Sequence, residues 1–292
     1  MGTHAQPGSQ CAAKPPTHDG PDDIADDGEP YSNPTKDEQH NHAQSVEHRP
    51  LSGHQTLLWI PSGMGTPKET MIFDRAGIRE VDHQAIEQLG IPGLQLMEDA
   101  AIGCTRLLLE MMPPPIEAQH VVIVCGRGNN GGDGYAMARH LKQRSVRTTI
   151  LASDPPRTGS DAAHNWQQAC QLDITITQDH RILDEATLIV DALLGTGLDR
   201  PVTGNSLDLI QSINTAQAPV LAVDLPSGLD TDTGRPLGDA VHASHTASFV
   251  GWKKGFLEPP AAEFIGTVHV IDLGIPASLT RALSVEIRSG QL

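Results

Sequence analysis

Val121-Val122-Ile123-Val124-Cys125 runs without a break into Gly126-Arg127-Gly128-Asn129-Asn130-Gly131-Gly132-Asp133-Gly134. The first half is a short apolar, β-branched run, the composition of a strand buried on both faces. The second half places five glycines within the ten residues from Cys125 to Gly134. Glycines there let backbone amides approach an anion closely, and the helix expected over Gly132–Gln143 would add partial positive charge at its start. The unit is a strand, a ligand-binding turn and a helix.

Similar runs recur at Thr148–Leu151, Thr187–Val190, Val220–Val223 and Val268–Ile271. Stretches of helical length separate most of them, notably Asp161–Gln171 and Ser206–Thr215. Continuous apolar strands alternating with helices predict a Rossmann-like, three-layer α/β/α sandwich around a mainly parallel sheet. Two helices precede it. Ile78, Val81, Ala85 and Leu89 repeat at three and four residues, as do Leu94, Met97, Ala101, Cys104 and Leu108. Gly90-Ile91-Pro92-Gly93 separates the pair, and Pro113-Pro114-Pro115 closes the second.

The front of the chain differs. Residues 1–55 hold 9 Asp+Glu against 3 Lys+Arg, a net of −6, and six of the fourteen His. So few apolar side chains cannot offset the entropy of ordering. Residues 1–66 are therefore expected to be a disordered, acidic, His-rich leader, and 67–292 a single folded domain. The net charge of −16 argues against nucleic acid as a partner. No segment reaches the roughly 18 apolar residues of a membrane span, and no signal or transit peptide is evident. Cys11, Cys104, Cys125 and Cys170 form no CxxC pair and are expected to be reduced, which makes the cytoplasm the expected location.

Ligands of an open parallel sheet gather beyond the carboxyl ends of its strands. Three such ends carry chemistry: the glycine-rich turn; Asp191 with the Gly195-Thr196-Gly197-Leu198-Asp199-Arg200-Pro201 loop; and Asp224-Leu225-Pro226-Ser227-Gly228. Read loosely, Gly126, Gly128 and Gly131 satisfy GxGxxG, with Asp154 where a ribose-binding acid would sit, so a dinucleotide oxidoreductase is an alternative. The double Asn and the Asp inside the turn are not needed for that. Together the oxygens suit a hard cation, and neither a zinc set nor a Ser–His–acid arrangement is offered.

These loops resemble the signature loops of the NAD(P)H-hydrate epimerases, the YjeF N-terminal domain family. So do Leu89-Gly90-Ile91-Pro92-Gly93 with Leu96-Met97-Glu98, and Gly251-Trp252-Lys253-Lys254-Gly255. The resemblance runs from about Ile78 to Ile275. It implies an isomerase, often a homodimer, that interconverts the R and S epimers of hydrated NADH and NADPH for a separate ADP- or ATP-dependent dehydratase. It implies that Asn129, Asn130, Gly131, Gly132 and Asp133, the Gly195–Pro201 loop and Asp224 bind the hydrate. Asn130, Asp191 and Ser227 would hold a potassium ion. Asp191 and Asp224 are the candidate acid/base groups, with Asp191 preferred. Asp99 departs from the family, standing where a neutral Asn is usual. The other reading is a non-catalytic dinucleotide-binding or protein-interaction module of the same fold.

Overall fold

The computed structural model describes residues 71–285. The expected leader lies outside the described residues. In chain order the elements are β1 (Ile72–Phe73), α1 (Arg75–Glu87), α2 (Gly93–Met111), β2 (His120–Cys125), α3 (Asn129–Gln143), β3 (Arg147–Ala152), α4 (Asp161–Gln171), β4 (Thr175–Thr177), β5 (Leu188–Ala192), α5 (Asn205–Thr215), β6 (Val220–Val223), β7 (His245–Phe249), β8 (Trp252–Lys253), β9 (Thr267–Ile271) and α6 (Ala277–Leu283). Strands β1 and β8 pair with each other, and the other seven form one sheet in the order β4-β3-β2-β5-β6-β7-β9. Every pairing within it is parallel.

Side chains alternate across this sheet as the two-residue period of a strand requires. Val121, Ile123 and Cys125 of β2 pack with residues of α1 to α4, such as Val81, Leu108, Leu141 and Ala169. Val122 and Val124 point the other way, into a cluster with Leu209, Ile210 and Ile213 of α5. Two apolar layers thus sandwich the sheet, as the strand-like runs predict.

The chain leaves β2 toward β3 and β4, then returns to lay β5 on the opposite side of β2. That reversal is the topological switch point, where the two outgoing connections diverge and leave a crevice. The α3 helix starts earlier than expected, at Asn129 rather than Gly132, so the NNGGD run is itself the first helical turn. The turn is compact because two glycines allow it: a Cβ on Gly131 would sit 1.9 Å from the Gly126 carbonyl oxygen, and one on Gly126 equally close to that of Leu193. Backbone cannot yield to such a clash. Gly131→Ala is expected to destabilise the fold by about 3 kcal/mol or more, measurable as a lowered midpoint in chemical denaturation.

Two strands of the seven-stranded sheet have no counterpart in the apolar runs. In β7, Thr246 and Ser248 are fully buried, and their hydroxyls donate to the carbonyls of Ile265 at 2.7 Å and Gly251 at 2.6 Å. Local partners make this polar sequence compatible with a central strand. The three-residue β4 lies at the sheet edge and is only partly covered. Cys104 and Cys125 are free and buried, as expected, but Cys170 is disulfide-bonded, which corrects the expectation of four reduced thiols.

Candidate functional site

A cavity of about 700 Å³ opens at the switch point, beyond the carboxyl ends of β2, β5 and β6. Of the expected ligand-binding residues, Asn129, Asn130, Asp133, Gly195 to Arg200 and Asp224 line it. Gly131, Gly132 and Pro201 do not. Gly131 packs on the Gly126 carbonyl and Gly132 on Met97, so these two shape the turn rather than the cavity wall. Positions Gly128 and Gly197, by contrast, have open space where a side chain would be, as a ligand-approach surface requires.

Asp224 follows β6 with φ +68°, a left-handed conformation that costs a non-glycine residue of order 1 kcal/mol. Its amide donates to the Ala247 carbonyl at 2.8 Å, which holds the chain in that turn. The carboxylate Oδ1 lies 2.6 Å from Lys253 Nζ. Lys253 is completely buried, and its ammonium also donates to Ser248 Oγ at 3.2 Å and the Phe249 carbonyl at 3.1 Å. A buried ammonium with three oxygen partners is a fixed positive charge at one end of the cavity.

Asp191, the last polar residue of β5, is fully enclosed and is not among the cavity-lining residues. Ser227 grips it twice: the hydroxyl donates to Oδ1 at 2.6 Å and the amide to Oδ2 at 2.8 Å. Leu193 N adds a third bond at 3.2 Å. Burial nevertheless pushes the Asp191 carboxyl up to about 6, against the pull of the Ser227 bonds. Nearby, Asn130 Nδ2 donates to the Leu194 carbonyl at 3.0 Å, and the Leu194 amide donates to Ser227 Oγ at 2.8 Å. Asn130, Asp191 and Ser227 therefore meet in one knot that ties α3, β5 and the turn after β6 together.

That knot fits a monovalent cation. Its donors are carboxylate, amide, hydroxyl and carbonyl oxygens, the set a hard ion prefers. It contains a single buried carboxylate, so one positive charge would balance it. The described residues hold no cluster of three His, Cys, Asp or Glu that would suit a transition metal.

Several cavity residues carry no legible local signal. Arg79 and Asp82, three apart on α1, both line the cavity, as do Arg157 and Phe249. Asp82 is exposed at the cavity mouth, yet the protein around it pushes it up to about 6, with the charge of Asp224 adding to this and Lys253 opposing. Asp133 is raised well above the usual carboxylate range by burial, Asp224 and Asp82. Asp99, the residue that departs from the resemblance, accepts a bond from Gln95 at 3.0 Å and is not among the cavity-lining residues.

Comparisons with known proteins agree with this geometry. Residues 93–255 match the family described as YjeF-related protein N-terminus; α1, with Arg79 and Asp82, precedes that stretch. An NAD(P)H-hydrate epimerase of Limosilactobacillus reuteri (strain DSM 20016) is 43% identical over 200 residues, covering 68% of this chain and 93% of the relative. A bifunctional NAD(P)H-hydrate repair enzyme Nnr of Salinibacter ruber is 38% identical over 222 residues, which is 70% of this chain and 41% of that longer protein. The crystal structure of yeast ynu0 superposes with a TM-score of 0.65 at 22% identity, covering 75% of this chain and 96% of the yeast chain, and so shares the fold. With its switch-point cavity, its NNGGD turn and this extent of similarity, the chain belongs to the family of YjeF-related N-terminal domains.

Proposed function

We propose that this chain is an NAD(P)H-hydrate epimerase, interconverting the R and S forms of hydrated NADH and NADPH so that a dehydratase specific for one form can restore the coenzyme. The observation that carries the reading is Asp224, ion-paired at 2.6 Å to a buried lysine on the wall of a cavity of about 700 Å³. That volume lies within the roughly 300–1,000 Å³ range of small-molecule and cofactor sites. Arg127, Arg157 and Arg200 line the cavity together with the start of α3, and suit the pyrophosphate of a dinucleotide.

The reacting carbon, C6 of the nicotinamide ring, is a hemiaminal. Its hydroxyl leaves as water when an acid supplies one proton and the ring nitrogen supplies its electron pair. Water then adds to the opposite face of the cationic ring and loses a proton to a carboxylate. Asp224 lines the cavity and is placed to exchange that proton. Asp191 has all its contacts inside the knot, so its part in this reading is structural, contrary to the preference drawn from the sequence. The acidic groups of the cavity favour the developing cationic ring over the neutral hydrate.

Asn130, Asp191 and Ser227 would hold potassium. Bound there, the ion would neutralise Asp191 and stiffen the loops around the hydrate. The sign of its pH dependence follows from the Asp191 carboxyl. Its folded value of about 6 lies above the ordinary 3.8, so between these pH values the folded chain holds a proton that the unfolded chain releases. Stability from this group therefore falls as pH rises through that window. Above it, the buried charge is unrelieved unless a cation sits beside it. Potassium in place of choline is expected to raise the thermal midpoint by about 5 °C at pH 7.5 when present at ~100 times its dissociation constant. Near pH 5 the shift should be close to nil. An equal shift at both pH values would remove Asp191 as the ligand.

In this reading the enzyme works in the cytoplasm, where the coenzymes it repairs are used. It forms a homodimer through the open edge of β9, where Val270 and nearby Ile102 on α2 are exposed. The function is tested by supplying the R hydrate left after a dehydratase has consumed the S form. Rapid protein-dependent loss of R by chromatography supports it; a rate equal to the spontaneous one refutes it.

A further inference from the structure

We infer that Asp82 is a second proton-transfer residue of the epimerisation, working from a different wall of the cavity than Asp224. The inference rests on the epimerase reading and extends it to a helix that the sequence motifs leave without a role.

Inverting one carbon through a planar cation needs water to leave from one face and return on the other. A single carboxylate on one wall serves one face well. The cavity offers two. Asp224 rises from the end of β6, while Asp82 projects from α1, the helix that packs Ile78, Val81 and Ala85 into the core beneath it. Asp82 follows that apolar stripe directly, so its side chain is carried to the rim and stays open to the cavity. Among the described residues it has no hydrogen bond or ion pair, which leaves its placement at the cavity to be explained.

The groups facing it are known from each neighbouring element: Arg79 on its own helix, Asp133 on α3, Asp224 after β6 and Lys253 on β8. They divide the two carboxyls chemically. Lys253 holds Asp224 in an ion pair at 2.6 Å. Asp82 has no such partner and is pushed up to about 6, which keeps part of its population as the acid near neutral pH. Two carboxyls whose surroundings treat them oppositely are the usual sign of an acid and a base sharing one site.

The step balances. The Asp82 carboxyl gives its proton to the C6 hydroxyl as the C6–O bond breaks, the ring nitrogen supplies the electron pair, and water departs. A water on the far face forms the new C6–O bond and gives its proton to the Asp224 carboxylate. Asp224 then releases its proton to solvent and Asp82 takes one up, which resets both groups for the next turnover; conversion in the opposite direction uses the same two groups in exchanged roles. No other reactant is consumed.

The experiment measures kcat/KM for R-hydrate conversion from pH 5 to 8.5 in the full-length wild type, Asp82→Asn and Asp82→Glu, with intact NADH as a binding probe. The wild type should decline as pH rises above about 6. Asp82→Asn should lose that limb and fall about 100-fold or more near pH 6, in the range of a removed general acid. Its NADH affinity should stay within about twofold, and Asp82→Glu should recover the limb. If Asp82→Asn keeps the limb, or loses rate only through KM, Asp82 transfers no proton and the inference is overturned. A wild type that does not accelerate conversion at any pH refutes the epimerase reading itself, a different result from an active wild type matched by its Asp82→Asn variant.

Discussion

Asp224→Asn is expected to lower kcat/KM for hydrate epimerisation about 1,000-fold, within the range for loss of a general acid or base. The substitution preserves shape, and the amide oxygen can still accept from Lys253 Nζ, now 2.6 Å from Oδ1. What is lost is the capacity to take and return a proton. The decrease should therefore appear in kcat, with NADH affinity changed by less than about twofold. A fall confined to KM would mean that Asp224 only anchors substrate. The alanine variant is a poorer test, since it leaves a fully buried ammonium without its carboxylate.

Lys253→Met is expected to destabilise the protein by about 3–5 kcal/mol, the range for breaking one side of a buried ion pair. The lysine has no exposed surface, and its three oxygen partners come from Asp224, Ser248 and Phe249. Removing the cation leaves Asp224 without its counter-charge in a cavity that already holds Asp133 and Asp82. The penalty comes from the orphaned carboxylate, so adding Asp224→Asn should recover much of it. Denaturant midpoints of the two single variants and the double variant measure that coupling. Strict additivity would show that Lys253 acts by packing alone.

Some of this was legible in the sequence because the physics is local. The β2 run is apolar at every position and its glycines follow at once, so strand, turn and helix were readable together, and Asp191 and Asp224 marked two strand ends by their position after apolar residues. Glycine's poor helix propensity puts the expected start of α3 three residues late; close packing of Gly131 on Gly126 outweighs it there. β7 stayed hidden because Thr246 and Ser248 are buried by virtue of bonds to Ile265 and Gly251, partners that no local pattern reveals. Asp82 is hidden for the same reason, and the Gly251–Gly255 resemblance marks Lys253 without showing its ion pair with Asp224. A charged residue beside an apolar helical stripe reads as a solvated face, and only the fold brings α1 and β8 to the end of β6. Asp191 and Asp224 are both strand-end acids in the sequence, and only the fold separates them, since Asp224 lines the cavity and Asp191 does not. Ser227 holds both oxygens of Asp191.

The most direct test of the central claim compares wild type and Asp224→Asn in the conversion of R hydrate at pH 7 with potassium present. Rapid conversion by the wild type is expected, with a roughly 1,000-fold slower rate for a variant that is folded and still binds NADH. Equal rates for the two proteins would contradict it, and would place the chemistry elsewhere than this cavity.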